Sequence, residues 1–401
     1  MLRISARPES PLPHPIFQQT EFDSRLAQTR AVMSSRGLDL LILTDPCNIY
    51  YLCGYDGWSF YMPQVLLVPV AGSPVWVGRR MDAHGVRLTS CLAAEDVVGY
   101  PEHLIQNEVE TPFGFIAQTI AERGWQAKRV GIEKQGYYFS VASFETLVEE
   151  LPGSELIDAS YLVNRVRFIK SPQEIGVMRQ AARLLEAAMT AAVDVIRPGM
   201  RECDVVAKIC EAQIGGVPDV GGVYCSTPSL VMSGARADTP HLPWTDERLA
   251  AQTTVNLELM GNRLRYQVPM GRTVVIGEPA PVMLRLESVA LEVIDNILAF
   301  VKPGMICSDV SDETQRILRR HGIAKESRCG YSIGIAFPPT GGELTASLRA
   351  GDTTVLKPGA VIHFLPAIWA DGGSIVISEP LLVTESGVEC LANVPRRLFY
   401  C

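Results

Sequence analysis

Histidine is scarce in this chain: six among 401 residues, no two of them within a helical turn of each other. The paired imidazoles that grip a catalytic zinc from one helix face are therefore excluded. Paired cysteines are missing as well, because the ten cysteines scatter from Cys47 to Cys401 without a CxxC. A chain of this length buries enough apolar surface to stand without disulfide staples, so they read as reduced core thiols. Cys329 alone adjoins a glycine-rich turn, and there a buried structural thiol is favoured over a nucleophile. No stretch reaches the roughly 20 apolar residues that span a bilayer. The first ten residues, with Arg3, Arg7 and Pro8, hold no apolar run of signal-peptide length. The expectation is a soluble cytoplasmic protein. Net charge is −8, from 36 basic and 44 acidic residues that are interspersed. That excludes the basic face of a nucleic-acid or anionic-membrane binder and leaves a small-molecule partner.

What is present is apolar sequence, 47% of the chain, enough for two cores of about 100–200 residues each. Apolar residues recur at helical spacing from Phe22 to Arg36, and the run Leu40 to Leu43 reads as a buried strand. Further runs at Gln64 to Val70, Pro74 to Val77 and Val130 to Ile132 alternate with helical stretches at Pro112 to Glu122 and Ser143 to Glu150. This is the rhythm of an α/β domain, placed at residues 1–165. Pro172 suits the first turn of a long helix running to Ile196, which opens a second domain at 166–401.

The second domain carries an internal echo. Helix Pro172 to Ile196 ends in Arg197-Pro-Gly-Met200 and then Asp204-Val205; helix Val282 to Val301 ends in Lys302-Pro-Gly-Met305 and then Asp309-Val310. Pro-Gly stops each helix and the aspartate is placed to cap the next. Strand-like runs follow each block, at Val223 to Met232 and Thr254 to Leu259, then at Tyr331 to Ala336 and Val361 to Leu365. Two equivalent units wrapping their sheets around one cavity are the predicted architecture.

His241 lies in a turn-rich loop segment, Met232 to Trp244, at a strand end. Glu258 and Glu379 stand inside strand-like apolar segments, and Glu343 follows Thr340-Gly-Gly342. One strand carboxylate could simply face solvent, but three with an imidazole supply acid/base groups and a seat for a cation.

In their order along the chain, Asn48-Ile-Tyr-Tyr51-Leu-Cys-Gly54, Arg167-Phe-Ile-Lys170-Ser171 with Glu174, Pro240-His241, Gly271-Arg272-Thr273, Gly330-Tyr-Ser-Ile-Gly334 and Glu379 resemble the creatinase/aminopeptidase P/prolidase family. The resemblance implies an α/β N-terminal domain and a duplicated, α+β "pita-bread" catalytic domain. Its metallopeptidases hold two metals through two aspartates, a histidine and two glutamates. At the matching positions this chain has Glu258, Pro269, Tyr331, Leu365 and Glu379, which cannot complete such a shell. The resemblance therefore points to the metal-free branch, with no cofactor. Gly54-Tyr-Asp-Gly-Trp-Ser-Phe-Tyr61, Pro240-His-Leu242 with Trp244, Pro338-Pro339 with Gly342-Glu343, and His363-Phe-Leu-Pro366 with Trp369 are most similar to its ectoine hydrolase group.

By that resemblance Glu343 and Glu379 hold a cationic amidine, Glu258 is base or nucleophile, His241 moves the proton, and Tyr331 donates to the developing tetrahedral centre. Arg263, Arg265 or Arg272 takes a substrate carboxylate. Trp369 lines the pocket, and Trp58, Phe60 and Tyr61 reach into the neighbouring subunit of a homodimer. The pairs Gly341-Gly342 and Gly372-Gly373 stand where rim bulk is expected and predict a wider pocket. A creatinase-like amidinohydrolase acting on a guanidino or lactam compound, a lyase with His241 or Tyr331 as base, and a non-catalytic binding module are the alternatives.

Overall fold

The computed structural model describes residues 16–107, 109–125 and 127–401; Arg3, Arg7 and Pro8, on which the reading of the first ten residues rested, lie outside the described residues. The chain separates into two compact units, Met1–Arg167 and Phe168–Cys401, two residues beyond the boundary placed from sequence. No helix among the described residues is long and apolar enough to cross a membrane.

In the first unit, α1 (Gln19–Ser35) leads into β1 (Leu40–Leu43), α2 (Pro46–Cys53), β2 (Val65–Pro69) and β3 (Val75–Arg79). Then come α3 (Ala83–Thr89), β4 (Val97–Tyr100), α4 (Pro112–Glu122), β5 (Arg129–Ile132), α5 (Val141–Glu150), β6 (Glu155–Asp158) and α6 (Leu162–Val166). The strands form one mixed sheet in the order β4-β3-β2-β1-β5-β6. β1 is apolar at every position because it is central and covered on both faces. α4 starts where Pro112 needs no N–H partner and where the Thr111 hydroxyl accepts from the Gly114 amide at 3.1 Å. The Asn48 motif serves the fold here. Its amide donates to Glu133 Oε1 at 2.6 Å and Asn164 Oδ1 at 2.8 Å, and accepts from Arg167 Nε at 3.0 Å, all buried.

The second unit opens with α7 (Pro172–Val195), whose start is a capping box between Ser171 and Glu174. It continues through α8 (Glu202–Gly215), β7 (Leu230–Ser233), β8 (Thr253–Arg263), β9 (Tyr266–Ile276), α9 (Pro281–Phe300) and α10 (Cys307–Arg320). The last elements are β10 (Gly330–Ser332), β11 (Val361–Phe364), β12 (Ile368–Ala370), β13 (Gly373–Ile375), β14 (Glu379–Val383), β15 (Val388–Cys390) and β16 (Phe399–Tyr400). β16-β9-β8-β7 form one four-stranded sheet, β10-β11-β14-β15 another, and β12-β13 a hairpin.

The echo is carried by matched hydrogen bonds. Gly199 and Gly304 hold φ at +83° and +94°, values that suit glycine. The Gly199 amide donates to Leu249 O and the Gly304 amide to Leu356 O, each at 2.8 Å, and Leu249 and Leu356 donate back to Met200 O and Met305 O at 2.8 Å. Cys203 donates to Thr245 O, and its counterpart Ser308 to Asp352 O. Three local expectations differ. Asp204 and Asp309 sit in the first helical turn rather than at the cap: Arg201 Nε and Nη2 hold Asp204, while Asp309 accepts from the Ile306 amide. The ladder at 331–336 stops after Ser332, where Gly334 runs against the Glu343 and Lys170 side chains. Of the strand read at 223–232, only the end from Leu230 pairs, and Gly234–Asp238 forms a short 3-10 turn inside the predicted loop.

Candidate active site

Glu258 is set by the register of β8, where it lies opposite Gly271 on β9 and Leu230 on β7. Beyond it opens a cavity of about 190 Å³, lined by Glu258, His241, Tyr331, Lys325, Arg328 and Trp369 with Met232, Leu257, Leu365 and Val376. At about 30 Å³ per water this is room for roughly six waters or one small ring compound. The Glu258 carboxyl has no hydrogen bond or ion pair among the described residues, and burial pushes its pKa up to about 7. A carboxylate left without a donor in a cavity is poised to take up a proton or to meet a cation. His241 is on the cavity wall with φ at +70°, a left-handed conformation that costs a non-glycine residue and recurs at functional sites.

Tyr331 comes from β10, opposite His363 on β11. Its phenol lies 3.1 Å from His363 Nδ1, and His363 Nε2 lies 2.8 Å from Ser378 Oγ. Burial, with the Glu258 carboxyl second, raises the Tyr331 pKa, so Tyr331 stays a phenol: a donor, not a base. His363 is wholly buried; burial first, then Arg328 and Arg272, push its pKa down to about 3. It is a neutral imidazole. Arg328 stacks its guanidinium over the Tyr331 ring at 4.2 Å and carries no ion pair among the described residues. Lys325 Nζ donates to Ala367 O at 2.8 Å and to Ser327 Oγ at 3.0 Å, and burial lowers its pKa.

Two of the carboxylates named from sequence lie elsewhere. Glu343 Oε2 accepts from Lys170 Nζ at 2.5 Å, with both side chains 1% exposed, and Gly334 is glycine because a Cβ would come within 2.3 Å of Glu343 Oε1. Glu379 Oε1 accepts from Arg272 Nη2 at 2.7 Å and Arg396 Nε at 3.2 Å. Neither is among the lining residues of the cavity. The arginines named with them are likewise engaged away from it. Arg263 donates to Gln180 and to Gly221 O, Arg265 packs on Tyr224 and Phe337 at 4.0 and 4.8 Å, and Arg272 holds Glu379. Trp369 donates its Nε1–H to Ala237 O at 3.0 Å and lines the cavity as expected from its place in the sequence. Cys329 is fully buried, and its pKa is raised by burial.

None of Gly341, Gly342, Gly372 and Gly373 is among the residues that line the cavity. A Cβ on Gly342 would press to 3.0 Å on the Tyr331 ring, and one on Gly373 to 3.2 Å on Leu286. In the first unit Trp58 and Tyr61 are exposed, whereas Phe60 is 8% exposed and packs edge-on against Tyr138 at 5.7 Å.

Lys325, Arg328, His363 and Ser378 were not assigned roles from sequence. Arg328 was signalled only by lying two residues before Gly330 in a quoted motif, and His363 only as a marker in another. Their convergence on Tyr331 depends on strand pairing.

The donor set does not fit a two-metal centre. Pro269 and Leu365 offer no side-chain donor, Glu379 is bound to two guanidiniums, and no group of three or more His, Cys, Asp or Glu among the described residues stands ready for a metal.

Comparison with known proteins agrees with the fold. The solved prolidase from Thermococcus sibiricus superposes with a TM-score of 0.82 at 19% identity, over 96% of this chain and 100% of that one. The Xaa-Pro dipeptidase from Bacillus anthracis gives 0.79 at 21% identity, over 95% and 100%. In sequence, the ectoine hydrolase of Halomonas elongata is 40% identical over 96% of this chain and 98% of its own length. An uncharacterized hydrolase/peptidase of Sinorhizobium fredii is also 40% identical, over 95% and 98%. Residues 25–169 match the creatinase/prolidase N-terminal domain, and residues 176–385 match metallopeptidase family M24. With both domains in place and a cavity walled by acid/base groups, the chain belongs to the M24 family, as a hydrolase with a creatinase-type N-terminal domain and a pita-bread catalytic domain.

Proposed function

We propose that this protein is a metal-independent hydrolase that opens a cyclic amidine, ectoine or a close relative. The observation that carries the reading is Glu258: a carboxyl with no partner among the described residues, held in a small cavity beside His241 and Tyr331, where its pKa of about 7 allows both proton uptake and release near neutrality. The identity to the Halomonas elongata ectoine hydrolase supports the substrate class.

A protonated cyclic amidine carries its charge on two nitrogens with an electrophilic carbon between them. Glu258 is the counter-charge, and the ring lies between the Trp369 and Tyr331 walls. Recognition of the amidinium thus moves to Glu258, since Glu343 and Glu379 already answer Lys170, Arg272 and Arg396. The substrate carboxylate goes to Arg328, with Lys325 behind it. Glu258 takes a proton from water as it adds to the amidine carbon, or itself adds to that carbon before water replaces it. The Tyr331 phenol donates a hydrogen bond to the oxygen of the tetrahedral adduct. One carbon–nitrogen bond breaks, and His241 delivers a proton to the departing amine, which leaves an N-acylated diamino acid. In a homodimer, the exposed Trp58 and Tyr61 close the neighbouring subunit's cavity while Phe60 anchors their segment on Tyr138.

A thermal-shift series with ectoine, hydroxyectoine, creatine and an Xaa-Pro dipeptide tests this, because a ligand at 100 times its Kd stabilises by about 2.7 kcal/mol. Chromatography of the products then reads the reaction. Stabilisation by ectoine and appearance of the ring-opened amide are expected. Urea from creatine, or cleavage of the dipeptide with ectoine untouched, would overturn the reading.

A further inference from the structure

His363 is a titratable group buried against the cavity that the proposed chemistry leaves unused. Among the described residues its two ring nitrogens have one hydrogen-bond partner each, the Tyr331 phenol at Nδ1 and the Ser378 hydroxyl at Nε2. Ser378 in turn accepts from the Gly271 amide at 2.6 Å. An amide is only ever a donor, so the direction of that bond is fixed. Ser378 is fully buried, and its Oγ has no hydrogen-bond partner besides Gly271 and His363 among the described residues. Its single proton therefore has one acceptor within reach, His363 Nε2. An imidazole that accepts at Nε2 and is neutral carries its proton on Nδ1, where it donates to Tyr331 Oη. With that lone pair occupied, the Tyr331 hydrogen turns away from His363. The opposite tautomer would leave the Ser378 proton buried without an acceptor.

We propose that Ser378 and His363 are positioning residues: a one-way chain, Gly271 to Ser378 to His363 to Tyr331, fixes the Nδ1–H tautomer and aims the Tyr331 hydroxyl proton into the cavity that holds Glu258. Tyr331 is thereby a committed donor. Neutrality of the imidazole, favoured by its burial near the Arg328 and Arg272 guanidiniums, keeps the direction from being lost to a second proton. The cation-π contact of Arg328 holds the phenol ring from its face while His363 holds its oxygen. The consequence for turnover rests on the function proposed above; the direction of the chain does not.

The test is ¹⁵N NMR of the full chain labelled at histidine, with the His363 signal assigned by its disappearance in His363→Gln. At neutral pH the proton is expected on Nδ1, with Nε2 showing the shift of an unprotonated acceptor. In Ser378→Ala the preference should collapse toward averaging or Nε2–H, and Ser378→Thr should restore it, with thermal unfolding confirming that both variants fold. If the amidine is turned over, Ser378→Ala lowers kcat by on the order of 10- to 100-fold with KM nearly unchanged, the usual scale for a group that orients a functional side chain. A proton on Nε2 in the unsubstituted protein would overturn the chain whatever the substrate. Absence of ectoine turnover with Nδ1–H observed would overturn the proposed function and leave the chain standing.

Discussion

Two regions of the catalytic unit use the same residue type to opposite ends. Where Glu343 meets Lys170, and Glu379 meets Arg272 and Arg396, buried carboxylates are matched by cations at hydrogen-bond distance. In the cavity, Glu258 has no such partner among the described residues, and the cations that share its walls, Arg328 and Lys325, are directed to a ring face and to backbone and hydroxyl oxygens. A matched carboxylate is spent on holding the fold, and an unmatched one is available to a substrate. In the proposed function the contrast moves the chemistry from three carboxylates to one.

The comparison breaks most visibly at its centre. Glu258→Gln keeps shape and loses the charge, and it should lower kcat for ring opening by about 10³-fold or more and also weaken the substrate's thermal shift, because the same carboxylate is the counter-charge of the amidinium. Undiminished steady-state rates would end the assignment. Next in size is Lys170→Met, which takes the ammonium away from the buried Glu343 carboxylate. Chemical denaturation should record a loss of about 3–5 kcal/mol, the cost of an uncompensated buried charge. If stability holds, Glu343 is not the structural carboxylate described.

Arg328→Ala sharpens the account from the other wall. Losing a charge-assisted contact worth about 1.5–3 kcal/mol should raise KM by about 10- to 100-fold for a substrate with its carboxylate and leave KM for the carboxamide analogue nearly unchanged, while kcat falls for both because the Tyr331 ring loses its stacked guanidinium. Equal rises in KM for both would place the carboxylate elsewhere.

The smallest effect is on stability and pH. With its folded pKa raised to about 7 by burial, Glu258 binds its proton more tightly in the fold than in the unfolded chain. Its ionisation therefore costs stability progressively from the ordinary carboxyl range up to about pH 7, and by a constant amount above. Glu258→Gln should gain about 1–3 kcal/mol at pH 8 and nothing at pH 4 in urea titrations. The matching kinetic signature is a kcat/KM that rises with pH through about 7, with the same limb in kcat displaced downward by the bound cation.

Much of the fold was legible because its signals are local. The run Leu40 to Leu43 is β1, the stretch Pro112 to Glu122 is α4, and each PGM turn stops a helix as glycine geometry requires. The site was legible in part. Glu258, His241, Tyr331 and Trp369 meet at one cavity, whereas Glu343 and Glu379 do not. Their partners lie far off in sequence, Lys170 at a separation of 173 residues and Arg272 at 107, so no local pattern could announce that they were already paired. Arg328 and His363 escaped for the same reason. Their roles exist only once β10 pairs with β11 and brings Tyr331 opposite His363.

The central claim is that a carboxylate at Glu258, not a metal pair, does the chemistry. It is tested most directly by the initial rate of ectoine ring opening after exhaustive treatment with a chelator, with metal content measured on the same sample. An unchanged rate at substoichiometric metal is predicted. A rate that collapses and returns on adding a divalent metal would contradict the account.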